Sequence, residues 1–285
     1  FGSEVNSNCC EVCTGMPGTL PTLNRKVVDY AIKMGHALHC KINNVCKQDR
    51  KNYFYPDLPK AYQISQFYRP LCEGGALTIQ TSQGEKRVGI TRIHIEEDAG
   101  KLLHDEANGT ALDMNRCGVP LIEIVSEPDI RSAEEAVAYL RKLRAILTYT
   151  GVSDCRMNEG SMRCDVNLSV RRPGEPFGVR TEMKNLNSFQ SVERAIEAEY
   201  RRQVEALEKA GVKRGRAWCR KPAATIRRPA RPPPCAARKT ALITATFPIP
   251  TCRKSTSAMP KWPKFAHPSP HCRMSAACVI CSSTA

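Results

Sequence analysis

Beyond Glu208 the 285-residue chain contains no aspartate, glutamate or tyrosine. All 28 acidic residues precede that point, with 27 of the 43 lysines and arginines, so residues 1–208 carry −1 and the last 77 residues +16. The overall charge of +15 therefore does not describe the protein as a whole. A basic nucleic-acid module also needs interleaved aromatics or a groove-entering helix, and the tail has only Trp218, Phe247, Trp262 and Phe265 among 11 prolines. Long apolar runs are missing too: none approaches the roughly 18 residues needed to cross a bilayer. No charged-then-apolar leader follows Phe1, so a soluble, cytoplasmic, bacterial-type protein whose sequence begins mid-gene is expected, with no membrane partner. Without a signal peptide, 15 cysteines do not describe a secreted disulfide framework and are read mostly as reduced thiols. Cys10 and Cys13 form a CxxC knuckle, half of a tetrahedral zinc site, but the next cysteines, Cys40 and Cys46, do not complete it at ribbon-like spacing.

What is present reads as a folded α+β domain over residues 1–210 followed by a different kind of sequence over 211–285. Thr22 is placed as the cap of a helix with Leu23, Val27, Tyr30, Ala31, Met34 and Leu38 on its apolar face. Residues 49–70 hold six aromatics and three prolines without a clean period and read as a long ordered loop. Leu77–Thr81 and Lys86–Asp98 alternate as strands, with Val88 and Ile90 in one phase, Ile93 and Ile95 in the other, and a bulge expected near Thr91 and Arg92. Ser132-Ala-Glu-Glu135 is a capping box opening a helix that carries Val137, Leu140, Leu143 and Leu147 and stops at Gly151. A third helix is expected from about Ser191 to Ala210, with Val192, Ile196, Tyr200, Val204 and Leu207 inward and Gly211 as its stop.

Three strands carry acidic residues on a polar face. Leu121–Val125 is interrupted by Glu123, and a carboxylate inside a strand is costly to bury without a partner or a metal. In Arg163–Val170 the apolar phase is Cys164, Val166, Leu168 and Val170, which puts Asp165 and Asn167 on the opposite face. Val179–Lys184 aligns Glu182 with Lys184. If these strands are neighbours, Glu123, Asp165 and Glu182 converge; the alternative is the solvated face of an antiparallel sheet. Glu96-Glu97-Asp98 at a strand end reads either as solvated charge or as oxygen ligands for a hard cation such as Mg²⁺.

Together, Cys10-Glu-Val-Cys13 before Gly15-Met-Pro-Gly18, Asp49–Asp57, Tyr62–Gln66, Ile90-Thr-Arg92 with Glu96–Lys101, Leu121–Asp129, Gly151–Asp154, Arg163-Cys-Asp165 and Lys184–Phe189 resemble the GatB family, one of the subunits of aspartyl/glutamyl-tRNA(Asn/Gln) amidotransferase. The resemblance covers residues 1 to about 210. It implies an antiparallel cradle domain related to glutamine synthetase and guanidino kinases. It also implies a ligase using ATP and Mg²⁺ to phosphorylate the side-chain carboxylate of Glu-tRNA(Gln) or Asp-tRNA(Asn), with ammonia from glutamine then displacing phosphate. The amidotransferase subunits GatA, which is the amidase, and GatC are implied partners, as is the misacylated tRNA. Carried over by motif, Glu97, Glu123, Asp165 and Glu182 hold Mg²⁺ and the nucleotide, while Lys184 and Arg92 contact phosphate. A stand-alone ATP-dependent carboxylate or guanidino kinase would share the polar face without needing tRNA. The family's Glu-x-His strand and its upstream cysteine pair have no counterpart after Phe1, leaving Cys10 and Cys13 as half a zinc site.

Nothing after residue 216 resembles the family's continuation in this reading frame. Back-translated with synonymous codons and read one base earlier, Ile243–Lys254 becomes His-Arg-Tyr-Phe-Pro-Asp-Pro-Asp-Leu-Pro-Glu, which resembles that continuation. The tail is accordingly expected to be an out-of-frame, unstructured segment of a fragment poorly active alone.

Overall fold

The computed structural model describes residues 2–106, 109–171, 175–209 and 280–284. The chain enters as turns, then forms α1 (Arg25–Ala37), β1 (Lys41–Ile42), β2 (Asp49–Asn52), β3 (Tyr62–Ser65), β4 (Cys72–Glu73), β5 (Ala76–Thr81) and β6 (Gly84–Glu97). There follow β7 (Lys101–Glu106), β8 (Gly109–Asp113), β9 (Pro120–Ser126), α2 (Ala133–Tyr149), β10 (Met162–Leu168), β11 (Thr181–Met183), α3 (Phe189–Lys209) and β12 (Ile280–Thr284). One antiparallel sheet runs β1-β4-β6-β9-β12-β10-β11, with β5 also paired to β6. The pairs β2–β3 and β7–β8 form two small separate sheets. Helices segregated onto an antiparallel sheet make this an α+β fold. No helix among the described residues is long and apolar enough to cross a membrane.

The core lies between one face of the sheet and the helices. From the sheet come Ile79, Val88, Ile90, Ile93, Ile122, Ile124, Cys164 and Val166; α1 adds Val27, Ala31 and Met34, and α2 adds Tyr139, Leu140, Leu143 and Leu147. Ser132 caps α2 as expected, its hydroxyl accepting the Glu135 N–H at 3.1 Å, while the Glu135 carboxylate accepts the Arg131 N–H at 2.6 Å rather than that of Ser132. The α1 cap is Asn24, whose side chain accepts from the Lys26 N–H, rather than Thr22; Leu23 is left exposed outside the helix. Asn is as good a cap as Thr, and the helix that starts there buries Val27, Ala31 and Met34 against the sheet.

Residues 49–70 are not simply a loop. β2 and β3 pair in register from Asp49 opposite Ser65 to Asn52 opposite Tyr62, with the Arg50 guanidinium 4.2 Å from the Tyr62 ring centre. Alternation is absent there because β3 is covered on both faces, burying Gln63 and Ser65 alongside Ile64. The hairpin β7–β8 likewise has no counterpart among the elements expected from sequence.

Helix α3 buries a different stripe from the apolar one. Val192, Ala195, Ile196, Glu199 and Gln203 face inward, while Tyr200 and Leu207 are exposed. The cause is the open edge of the sheet. Gln203 accepts the Val170 N–H at 3.0 Å and donates to Thr181 Oγ1 at 2.8 Å; Glu199 accepts from Thr181 Oγ1 at 2.7 Å. Satisfying those strand-end groups turns the helix. Strand β10 ends at Leu168, so Val170 lies beyond it, and β11 spans only Thr181–Met183, with Lys184 just past its end.

Of the tail, Ile280–Thr284 forms a strand inserted between β9 and β10, which corrects the expectation that the whole segment lacks regular structure. It pairs with Leu121–Ile124 of β9 on one side and Met162–Asp165 of β10 on the other, satisfying backbone groups of both. The rest of the tail, including Gly211, lies outside the described residues.

Candidate active site

The polar face is set by the bulge in β6. Pairing with β9 shifts between Ile90 and Arg92, so Val88 and Ile90 face the core before it and Ile93 and Ile95 after it. The Ser126–Asp129 turn clamps this irregularity: Asp129 accepts the Gly89 N–H at 2.8 Å, and Glu127 accepts from the Thr91 hydroxyl at 2.8 Å. A Cβ at position 89 would sit 2.8 Å from Glu127 Cγ, so glycine permits the close approach. Beyond the bulge, Arg92, His94 and Glu96 share one side of the strand.

His94 pairs directly opposite Glu123 of β9. Its Nε2 lies 3.3 Å from Glu123 Oε2 and 3.5 Å from Glu96 Oε2. Glu96 is buried, accepts from Ser65 Oγ at 2.7 Å and faces Lys51 Nζ at 3.2 Å. Burial opposes ionisation of Glu96, but His94, Lys51 and Ser65 outweigh it and hold its pKa down at about 2. Burial likewise disfavours the His94 imidazolium, yet hydrogen bonds to Glu123 and Glu96 raise its pKa overall. One ligand atom from each of His94, Glu96 and Glu123 lies within 4.8 Å of the others, a spacing that could hold a metal ion.

Across β12, Asp165, Glu182 and Lys184 form the other half of the face. Lys184 Nζ lies 3.4 Å from Asp165 Oδ2 and 3.3 Å from Glu182 Oε1. Asp165 is pushed up by burial, with Glu182 and Glu123 adding to the rise and Lys184 opposing it. Glu123 is thus felt electrostatically by both His94 and Asp165. The backbone of β12 runs between the two halves, with Ser282 opposite both Glu123 and Arg163, and Ile280 opposite Asp165.

Of the residues expected from sequence, Asp165, Glu182 and Lys184 come into contact, and Glu123 lies on the same face across β12, where it acts on Asp165 electrostatically. Glu97 takes a different direction: its Oε2 accepts from the buried Lys60 ammonium and from the Ile64 N–H. Its place in the strand has the phase of Ile93 and Ile95, so alternation turns it from the face that His94, Glu96 and Glu123 share. Arg92 lies on the polar side, its guanidinium 5.3 Å from the Phe67 ring centre and its buried Nε without a hydrogen bond. His94 is the residue sequence reasoning passes over, and Glu96, weighed there with Glu97 and Asp98 as a cation ligand, is not carried into the site, although the phase of Ile93 and Ile95 puts both on this face.

Cys10 and Cys13 do approach one another, Sγ to Sγ 3.3 Å. No third metal-ligating group joins them among the described residues.

Residues 1–248 match the family described as the GatB/GatE catalytic domain. The chain belongs to that family. The match extends past residue 216, beyond the end expected from the resemblance in protein sequence. Against the GatB-type subunit of aspartyl/glutamyl-tRNA(Asn/Gln) amidotransferase from Caldicellulosiruptor saccharolyticus the chain is 65% identical over 214 residues, 74% of this chain and 45% of the relative. Against the subunit of the same name from Lachnoclostridium phytofermentans it is 63% identical over 210 residues, 73% of this chain and 44% of the relative. That of Oleidesulfovibrio alaskensis is 62% identical over 210 residues, again 73% and 44%. This GatB/GatE-family chain therefore spans less than half the length of the curated relatives it matches.

Proposed function

We propose that this chain carries the carboxylate-activating site of a tRNA-dependent amidotransferase, as its GatB subunit. The observation that supports the reading most directly is the joining of Glu123, Asp165, Glu182 and Lys184 on one polar sheet face in a chain of the GatB/GatE family. Nothing in the matches favours a stand-alone carboxylate or guanidino kinase. The substrate class is a tRNA misacylated with Glu or Asp, and the ammonia comes from the amidase GatA, held in a complex with GatC.

The donor set fits Mg²⁺. Glu123, Asp165 and Glu182 offer hard carboxylate oxygens, and Asp165 is held up by burial and by its acidic neighbours, the imbalance that a divalent cation relieves. Glu97 is the weaker member of the proposed set, since Lys60 already neutralises it. When bound, Mg²⁺ with ATP supplies the phosphoryl group and shields its charge. The chain's own residues do the positioning. Lys184 presents a cation beside Asp165 and Glu182 and is available to take negative charge developing on a transferred phosphoryl. Arg92 offers an unpaired buried Nε on the same side of the sheet. His94, tied to Glu96 and Glu123, fixes the direction of the Glu123 carboxylate.

The test uses the full-length protein assembled with GatA and GatC. Glu182→Gln removes a charge but little volume, and it should abolish tRNA-dependent ATP hydrolysis while glutamine hydrolysis by the amidase persists. Transamidation of Glu-tRNA(Gln) at the wild-type rate by that variant would overturn the assignment.

A further inference from the structure

Beyond the residues already assigned, the polar face carries one more guanidinium. On β10, Met162, Cys164 and Val166 are buried in the core, so alternation puts Arg163 on the side of Asp165. Its cross-strand row runs through Ser282 of β12 to Glu123 of β9. From there the side chain reaches over to Asp98, one residue past β6, and its Nη2 donates to Asp98 Oδ2 at 2.7 Å. Two strands, β9 and β12, separate β6 from β10, so this pair spans the polar face. It leads away from Lys184, which sits with Asp165 and Glu182 on the side of β11.

The groups around Asp98 are unevenly satisfied. Asp98 is buried and receives two guanidiniums, that of Arg163 and that of Arg116, whose Nε lies 3.3 Å from the same oxygen. A single carboxylate therefore leaves positive charge over. Arg116 is tied to the main chain, its Nε donating to Ala99 O at 2.9 Å and its Nη2 to Gly100 O at 3.0 Å. Arg163 differs: its buried Nε has no hydrogen bond among the described residues. A buried donor on a charged group is costly to leave unmade, and the fork of a guanidinium matches the two oxygens of a carboxylate.

We infer that Arg163 binds the side-chain carboxylate of the misacylated tRNA, with Asp98 as its positioning residue. The inference deepens the activating-site reading above and rests on it. The two reactants of that step, a nucleoside triphosphate and a carboxylate, are both anions, and each needs its own cation if they are to meet. Lys184 stands with Asp165 and Glu182, and Arg163 is held toward the opposite side of the face by Asp98. With one carboxylate oxygen accepting from Arg163, the other attacks the γ-phosphorus. The bond to the β–γ bridging oxygen breaks, ADP leaves with that electron pair, and no proton moves. Amidation then replaces the charged carboxylate by a neutral amide, which gives up the ion pair with Arg163. Arg163 thereby separates substrate from product by charge.

The experiment measures binding of tRNA(Gln) to the full-length protein assembled with GatA and GatC, without ATP, the tRNA carrying either Glu or Gln through a non-hydrolysable amide. The parent should hold the Glu form more tightly, on the order of tenfold. Arg163→Gln and Asp98→Asn should lose this preference. Arg163→Lys, which keeps the ion pair with Asp98 but not the fork, should retain only part of it. Arg163→Gln should bind a non-hydrolysable ATP analogue as the parent does. Equal binding of both tRNA forms by the parent would overturn the inference, as would an Arg163→Gln variant that melts earlier yet keeps the preference, the mark of a purely structural ion pair. A loss of affinity for the ATP analogue in place of the Glu form would overturn it too, by assigning Arg163 to phosphate. Glu182→Gln should retain the preference, so that variant's activity decides the activating-site reading while the binding comparison decides Arg163.

Discussion

The Nε2 atom of His94 lies 3.3 Å from Glu123 Oε2 across directly paired positions of β6 and β9. This contact joins the two halves of the polar face, because Glu123 also acts on Asp165. It exists only because the bulge after Ile90 reverses the phase of β6, turning His94 and Glu96 away from the core that Ile93 and Ile95 fill. A local backbone irregularity thereby decides which side chains meet.

The contact makes stability depend on pH. His94 has a folded-state pKa above its ordinary value, so its stabilisation is complete below about 6.5 and is lost as pH rises through the raised value. In a chelating buffer, His94→Gln should therefore be less stable than the parent near pH 6, with the gap closing by pH 9. Urea midpoints at the two pH values measure this. An equal gap at both would show that the imidazole carries no extra proton.

On the acid side the same cluster behaves oppositely. Glu96 is held down at about 2, so its contribution is full above the ordinary carboxylate pKa and is lost as pH falls from about 4.5 to 2. Glu96→Gln should cost on the order of 2–3 kcal/mol at pH 7 and nearly nothing at pH 2. A cost independent of pH would assign the loss to shape rather than to charge.

Gln203 tests the turn of α3 toward the sheet edge. It satisfies the Val170 N–H, the Thr181 hydroxyl and the Leu168 carbonyl. Gln203→Leu is similar in volume and more apolar, yet it leaves the Val170 N–H without its acceptor, while the Thr181 hydroxyl keeps Glu199 and the Leu168 carbonyl keeps Thr181, and it should destabilise by about 1–3 kcal/mol. Tyr200→Leu, on the exposed side, should change stability by less than about 0.5 kcal/mol. Equal effects in denaturant titrations would contradict the observed orientation.

How much of this is legible in the sequence follows from which signals are local. The cap at Ser132, the bulge near Arg92 and the core phase of Cys164 and Val166 are readable because each rests on neighbours in the chain. The inward face of α3 is not, since what turns Glu199 and Gln203 inward is the unpaired edge of β10 and β11, a demand made by tertiary structure. The strand β3 escapes notice for a related reason: covered on both sides, it shows no alternation, and β2 is too polar to carry an apolar phase. The pairing of Glu97 with Lys60 is not legible locally, as that partner lies 37 residues away in sequence. His94 and Glu96 are within reach, because the phase assigned to Ile93 and Ile95 already fixes theirs.

The last test concerns the cation. Lys184 sits between Asp165 and Glu182, and its own pKa is raised because those two carboxylates outweigh its burial. It is the positive charge that lets Asp165 and Glu182 lie so near one another, with Glu123 across β12 adding to the negative field. If Mg²⁺ binds this face, the cation and the ammonium answer the same excess of negative charge and compete for it. Lys184→Met should then unfold more readily without metal but gain more from Mg²⁺ than the parent does. A tenfold tighter site corresponds to about 1.4 kcal/mol of added stabilisation at saturating metal. Asp165→Asn should lose most of the Mg²⁺ response, because it removes a carboxylate whose ionisation burial disfavours. Thermal midpoints across a Mg²⁺ titration distinguish these outcomes, with Ca²⁺ as a larger oxygen-seeking control. Identical Mg²⁺ shifts in the parent, Lys184→Met and Asp165→Asn would put the cation elsewhere and remove these residues from its coordination.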